Sequence, residues 1–171
     1  LGQTRRHCAA DAEREGRCAM LIRLADLAET QAFAARLGQY LEKGDLVALH
    51  GELGVGKTVV ARQIIRTLGA RPNEEVASPT FNLVLVYAFP HVTIWHFDLY
   101  RINAPEETWE LGLEDALAEG IGLVEWPERL GDYLPDDRVD IFLRYDGSGR
   151  AVEVEGRGAF ADRVAAWRLT A

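Results

Sequence analysis

The chain has 171 residues, 48% of them hydrophobic and 27% charged, with a formal net charge of −8. That length suits one buried core, and the negative balance argues against a protein that grips nucleic acid through its own basic surface. No apolar run approaches the roughly 18 residues of a membrane span, no secretory h-region opens the chain, and Cys8 and Cys18 fit neither a zinc site nor a disulfide framework, so the expected compartment is the cytoplasm.

Residues 1–19 are small and charged without periodicity and read as a disordered extension ahead of a single domain spanning residues 20–171. Met20 is the only methionine and the expected start, and Asp11, Glu13 and Glu15 interrupt the arginines that an RNA-binding arm would need. Leu21–Leu24 predicts a short edge strand. Asp26 or Thr30 then caps a helix that runs through Leu37 to Leu41. Leu46–His50 is an apolar run of strand length. Gly51-Glu52-Leu53-Gly54-Val55-Gly56-Lys57-Thr58 follows, and Val59–Leu68 has helical spacing up to Gly69.

Beyond a polar loop at Arg71–Glu75, Leu83–Phe89 and Val92–Leu99 predict an antiparallel hairpin turned at Pro90-His91. Pro105 opens an acidic amphipathic helix over Glu106–Leu117, with Trp109, Leu113, Ala116 and Leu117 facing inward and its charges most simply a solvated face. Gly120–Val124 predicts a buried strand ending in Glu125-Trp126-Pro127. Val139–Tyr145 and Ala151–Glu155 predict a second hairpin around Asp146-Gly147-Ser148-Gly149, and Ala159–Leu169 a terminal helix. The fold class expected is α/β, a P-loop NTPase-like three-layer sandwich whose mixed sheet carries antiparallel hairpins.

The segment Gly51–Thr58 matches G-x-x-x-x-G-K-[ST], the Walker A phosphate loop, and it sits between strand and helix as the mechanism requires. Its glycines let successive N–H groups face one concavity at the positive end of the following helix. Gly54, Val55, Gly56, Lys57, Thr58 and Val59 are the expected nucleotide cradle, with Lys57 on the β- and γ-phosphates and the Thr58 hydroxyl on Mg²⁺. A second metal ligand and a water-handling group are also needed. Glu125, at the end of an apolar strand, and Asp98, a lone acid in an aromatic strand, are the two candidates.

Ser78-Pro79-Thr80 resembles the loop whose hydroxyl senses the γ-phosphate in other P-loop proteins, a plain turn being the alternative. His50, His91 and His96 read as packed or partly exposed histidines rather than ligands. No Asn-Lys-x-Asp element for guanine recognition is present, too little chain follows the loop for a large motor ATPase, and Arg101, Arg129, Arg138 and Arg144 do not cluster as a kinase lid would.

Together, Gly51–Thr58, Ser78-Pro79-Thr80-Phe81, His96-Phe97-Asp98-Leu99-Tyr100-Arg101, Glu110-Leu111-Gly112 and Leu123-Val124-Glu125-Trp126-Pro127-Glu128 resemble the successive signatures of the TsaE (YjeE) family. The resemblance runs over roughly residues 21–145. Val55 stands where the family often has Ala, and the chain before Met20 and after about residue 146 is weakly matched. What the resemblance implies is a P-loop ATPase that binds ATP with Mg²⁺. It would support threonylcarbamoyl modification of adenosine 37 in tRNA by resetting a TsaB–TsaD complex, reaching tRNA only through these partners.

By the same resemblance Thr58 and Glu125 would hold Mg²⁺, Lys57 would stabilise the phosphates and Asp98 would position or activate water. Thr80 would lie near the γ-phosphate, and the Glu29-Thr30 region near the base. Two other readings use the same loop: a small-metabolite kinase, and a nucleotide-dependent binding module in which hydrolysis is incidental.

Overall fold

In the computed structural model, which describes residues 19–169 except 74, 80 and the side chain of Trp109, the apolar run Leu46–His50 forms strand β2 at the middle of a seven-stranded sheet. The other elements in chain order are β1 (Ala19–Leu24) and α1 (Leu27–Gly38) before it, then α2 (Lys57–Leu68), β3 (Val84–Ala88) and β4 (Thr93–Asp98). After these come α3 (Leu113–Glu119), β5 (Ile121–Glu125), β6 (Arg138–Asp146), β7 (Gly149–Arg157) and α4 (Phe160–Ala166). The sheet order is β1-β7-β6-β2-β5-β4-β3. The inner strands β6, β2, β5 and β4 pair in parallel, and antiparallel hairpins close both sides.

Strand alternation sorts the side chains into two layers. Val47 and Leu49 of β2, Ile121 and Leu123 of β5 and Ile141 of β6 are buried together with Phe33 of α1, Ile64 of α2 and Val164 of α4. On the other face Leu46, Phe97 and Val124 pack with Ala116 of α3, and Leu113 and Leu117 lean against them. The result is helices, sheet, helices, the three layers expected from the sequence. Period two therefore puts His96, Asp98 and Glu125 on the α2 face, because they continue the series Ile94 and Ile121, Leu123.

Local chemistry sets the helix ends. Asp26 caps α1 by accepting from the Glu29 amide at 2.9 Å, and the Glu29 carboxylate in turn accepts from the Ala25 amide at 2.7 Å. The long acidic helix predicted over Glu106–Leu117 is not continuous. Pro105–Leu111 is a 3₁₀ segment, Gly112 sits at φ 69°, and α3 begins after it. A left-handed residue ends one helical register and starts another, so the helix divides there; the inward placement of Trp109 lies outside the described residues. The terminal helix is also shorter than predicted, because Trp167 at ψ 151° is extended. Arg163 of α4 donates to both oxygens of Asp45 at 2.9 and 2.8 Å, which ties that helix to the turn before β2. Among the described residues no helix is long and apolar enough to cross a membrane.

Among the described residues, the face opposite α2 carries one buried acid, Asp140 of β6, at 0% exposure. It accepts from His50 Nε2 and Arg138 Nε, each at 2.9 Å, and from Arg157 Nε. Burial alone would raise its pKa. Hydrogen bonds from His50 and Arg138 and their charge outweigh that and bring it from 3.8 to about 2.

A shift of this size is worth about 2 kcal/mol of stability at neutral pH. The folded pKa is depressed, so that contribution is complete above about pH 4 and is lost as pH falls through about 2. Asp140→Asn should therefore cost roughly 3 kcal/mol at pH 7, since it leaves the partly buried guanidinium groups of Arg138 and Arg157 without their carboxylate. Urea titrations should show the gap between wild type and variant closing below pH 4; a constant gap would contradict this.

Candidate functional site

The phosphate loop joins the end of β2 to the start of α2, and three of its residues have positive φ: Gly51 at 137°, Gly54 at 78° and Gly56 at 120°. At Gly51 the requirement is steric as well as conformational, since an added Cβ would lie 2.5 Å from the Leu143 carbonyl oxygen of β6. Beside the loop lies a cleft of about 230 Å³ lined by Leu53, Gly54, Gly56, Lys57, Thr58, Val59, Ser78, Asp98, Tyr100, Glu125 and Trp126. It opens at the carboxyl ends of the parallel strands, where open α/β sheets take their ligands.

Lys57 is 4% exposed. Its ammonium donates to the Gly51 and Glu52 carbonyls at 2.6 and 2.8 Å and stands 3.8 Å above the Trp126 ring centroid. Burial lowers its pKa, and the charges of Glu125, Glu128 and Asp98 oppose that shift. The Trp126 backbone occupies the left-handed region at φ 60°. Its amide donates to the Leu49 carbonyl at 3.3 Å and its ring lies 5.1 Å from that of Tyr100. That conformation turns the chain sharply at the end of β5 and lays the indole against Lys57.

Glu125 is the other centre of the site. The Thr58 hydroxyl donates to its Oε2 at 2.9 Å, and His96 Nε2 lies 2.8 Å from its Oε1. Asp98 sits directly across in register on β4. Its Oδ1 accepts from the Tyr100 amide at 3.1 Å and its Oδ2 from the Ser78 hydroxyl at 3.4 Å. The His96 Nδ1 atom is buried and has no hydrogen-bond partner among the described residues. A neutral ring with its proton on Nε2 meets both conditions, donating to Glu125 and leaving only an acceptor unmet.

The structure thus brings together Gly54, Gly56, Lys57, Thr58, Val59, Asp98 and Glu125. Val55 belongs to the loop, but its side chain is buried in the core at 1% exposure. Thr80 lies outside the described residues. Thr30 does not line the cleft: it is buried inside α1 and its hydroxyl donates back to the Asp26 carbonyl at 2.9 Å, a common fate for a helical threonine. Leu53, Tyr100 and Trp126 line the cleft without a chemistry assigned from the sequence, and His96, buried behind it, was not foreseen as the partner of Glu125. Trp126 and Tyr100 carried a signal in their places beside the two candidate acids.

No three His, Cys, Asp or Glu side chains among the described residues form a self-contained metal cluster. Mg²⁺ in a phosphate loop does not need one, because phosphates and water fill most of its shell. Thr58 Oγ1 and Glu125 Oε2, already 2.9 Å apart on the cleft wall, fit that role. Glu125→Ala should raise the Mg²⁺ concentration needed for half-maximal nucleotide binding by roughly tenfold, the loss of one charged ligand. Calorimetric titrations at several Mg²⁺ concentrations check this, and an unchanged requirement would remove Glu125 from the metal site.

Comparison with known proteins identifies the family of the chain. The family model for "Threonylcarbamoyl adenosine biosynthesis protein TsaE" matches residues 24–152. The TsaE protein of Rickettsia bellii is 44% identical over 116 residues, 68% of this chain and 80% of its own length. That of Treponema pallidum is 34% identical over 122 residues, covering 71% and 88%. The crystal structure of YdiB from Bacillus subtilis superposes with a TM-score of 0.71 over 86% of this chain and 91% of its own, at 24% identity, and so speaks to the fold. With a family match across most of its length and relatives at this level of identity, the chain belongs to the TsaE family.

Proposed function

We propose that this chain is a Mg²⁺-dependent ATPase of the cytoplasm that supports threonylcarbamoyl modification of adenosine 37 in tRNA by acting on a TsaB–TsaD-type complex. The names of its relatives support a part in tRNA threonylcarbamoyladenosine biosynthesis, and the family and fold support nucleotide hydrolysis. The observation that carries the finer reading is the convergence of Lys57, Thr58, Asp98 and Glu125 on one cleft beside a Walker A loop.

The roles follow from placement. Lys57 gives up its loop carbonyls for the β- and γ-phosphates. Thr58 and Glu125 would hold Mg²⁺, which when bound neutralises charge on the phosphate oxygens. Asp98, held by the Tyr100 amide and Ser78, has a carboxylate with which to orient the attacking water. His96 keeps one Glu125 oxygen engaged, so that the other faces Thr58.

The described cleft lining contains no arginine, so the cation that many phosphoryl-transfer sites add in the transition state has no source there. This supports slow turnover alone and completion of the site by the partner complex. The net charge of −8 is consistent with a subunit that reaches tRNA through partners.

Phosphate release from Mg·ATP should be slow for the chain alone and rise by about a thousandfold or more with the TsaB–TsaD complex, the lower end of the range for a supplied cation. Lys57→Ala should abolish it. Free phosphate as the product separates this reading from a metabolite kinase; full activity of Lys57→Ala, or indifference to the partners, would contradict it.

A further inference from the structure

The β6–β7 hairpin reaches over the phosphate loop, and its second strand lies in the stretch after about residue 146 that the family resemblance matched only weakly. β6 runs parallel to β2, with His50 beside Phe142, and continues past the point where β2 gives way to the loop. The Leu143 carbonyl then abuts Gly51, and the Tyr145 hydroxyl lies 3.4 Å from where a Gly54 Cβ would stand.

The loop's carbonyls show what this proximity does. Those of Gly51 and Glu52 accept from Lys57. The Leu53 carbonyl accepts from the Tyr145 hydroxyl at 3.5 Å, and the Val55 carbonyl from Arg150 Nε at 2.8 Å. The second of these is short and charge-assisted; the first is at the long limit and weaker.

Tyr145 and Arg150 are themselves a matched pair. They face each other across the β6–β7 register, and the guanidinium stands 4.3 Å above the Tyr145 ring centroid. Arg150 Nη1 donates in addition to the Gly149 carbonyl at 2.8 Å. The Nε–H is thus aimed by contacts within the hairpin itself.

We infer that Arg150, assisted by Tyr145, is a positioning residue that holds the phosphate loop in its anion-binding conformation by fixing the direction of two peptide planes. In a trans peptide the carbonyl and the following N–H point opposite ways. Holding the Leu53 and Val55 carbonyls toward the hairpin turns the N–H groups of Gly54 and Gly56 away from it, and both these glycines line the cleft. Lys57 must leave its carbonyls to meet a phosphate, whereas the hairpin contacts persist through binding. They therefore keep the loop organised while its own lysine is withdrawn. This rests on the reading of the loop as a nucleotide site.

The test compares wild type with Arg150→Ala, Arg150→Met, Arg150→Lys and Tyr145→Phe. Hydrogen exchange is read over residues 51–58 without nucleotide, and binding is measured with a non-hydrolysable Mg·ATP analogue. Arg150→Ala should raise loop exchange and weaken binding by about tenfold each, the effect of one charge-assisted hydrogen bond. Hydrolysis at saturating nucleotide should stay within about twofold, since the binding step alone is affected. Arg150→Lys should restore most of both losses, and Tyr145→Phe should show a smaller effect in the same direction.

Arg150→Met keeps the apolar stem over Tyr145 and reports on the lost donor if the alanine variant fails to fold. Loop exchange equal to wild type in Arg150→Met, or a lysine variant no better than methionine, would overturn the inference. Absence of nucleotide binding by wild type would overturn the nucleotide reading instead, and the exchange comparison still decides the clamp.

Discussion

A buried ammonium needs compensation, and in this molecule the compensation for Lys57 accounts for much of what surrounds it. An isolated charge taken out of water costs many kcal/mol. Here two loop carbonyls, the face of Trp126 and the nearby carboxylates of Glu125, Glu128 and Asp98 share the offset. Desolvation is still the largest influence on its pKa and lowers it. Lys57 therefore sits among partners that a phosphate can replace with a stronger one, and its carboxylate neighbours outnumber it. That excess of negative charge suits a divalent cation better than an anion alone, which supports the proposed pairing of nucleotide and metal in this cleft.

The sheet supplies the geometry for this balance. Parallel pairing of β2, β5 and β4 places Leu49, Glu125 and Asp98 at one level along the strands. The loop, the metal candidate and the water candidate thus emerge side by side at the carboxyl edge. Alternation turns Glu125, Asp98 and His96 toward α2, whose first turn brings Thr58 within 2.9 Å of Glu125. On the opposite face, the Asp140 network with His50, Arg138 and Arg157 braces the last residue of β2 just before the loop begins. Charge is buried on both sides of β2, each time with partners.

How far this was legible in the sequence depends on what each feature asks of the side chains. Walker A is written in residue identity because the backbone there demands glycines and the phosphates demand Lys57 and Thr58. Glu125 and Asp98 were readable as acids in apolar strands. The bond between His96 and Glu125 was not, because it depends on the register of two strands distant in sequence. Gly112 divides a helix whose apolar spacing looks continuous across it. Thr30 carries a side chain suited to a ligand but satisfies it locally. Arg150 is not marked in the sequence, since its target is a carbonyl, which every residue has and no sequence pattern singles out.

On the proposed reading, a triphosphate draws Lys57 away from the loop carbonyls and from Trp126. Heteronuclear NMR of the Lys57 ammonium and the Trp126 indole, during titration with a non-hydrolysable Mg·ATP analogue, tests it directly. Both signals should shift together and saturate at the same nucleotide concentration, while the Trp167 indole, buried against Tyr40 on α1's side of the sheet, stays in place. A Lys57 signal that does not move at saturating nucleotide would contradict that reading.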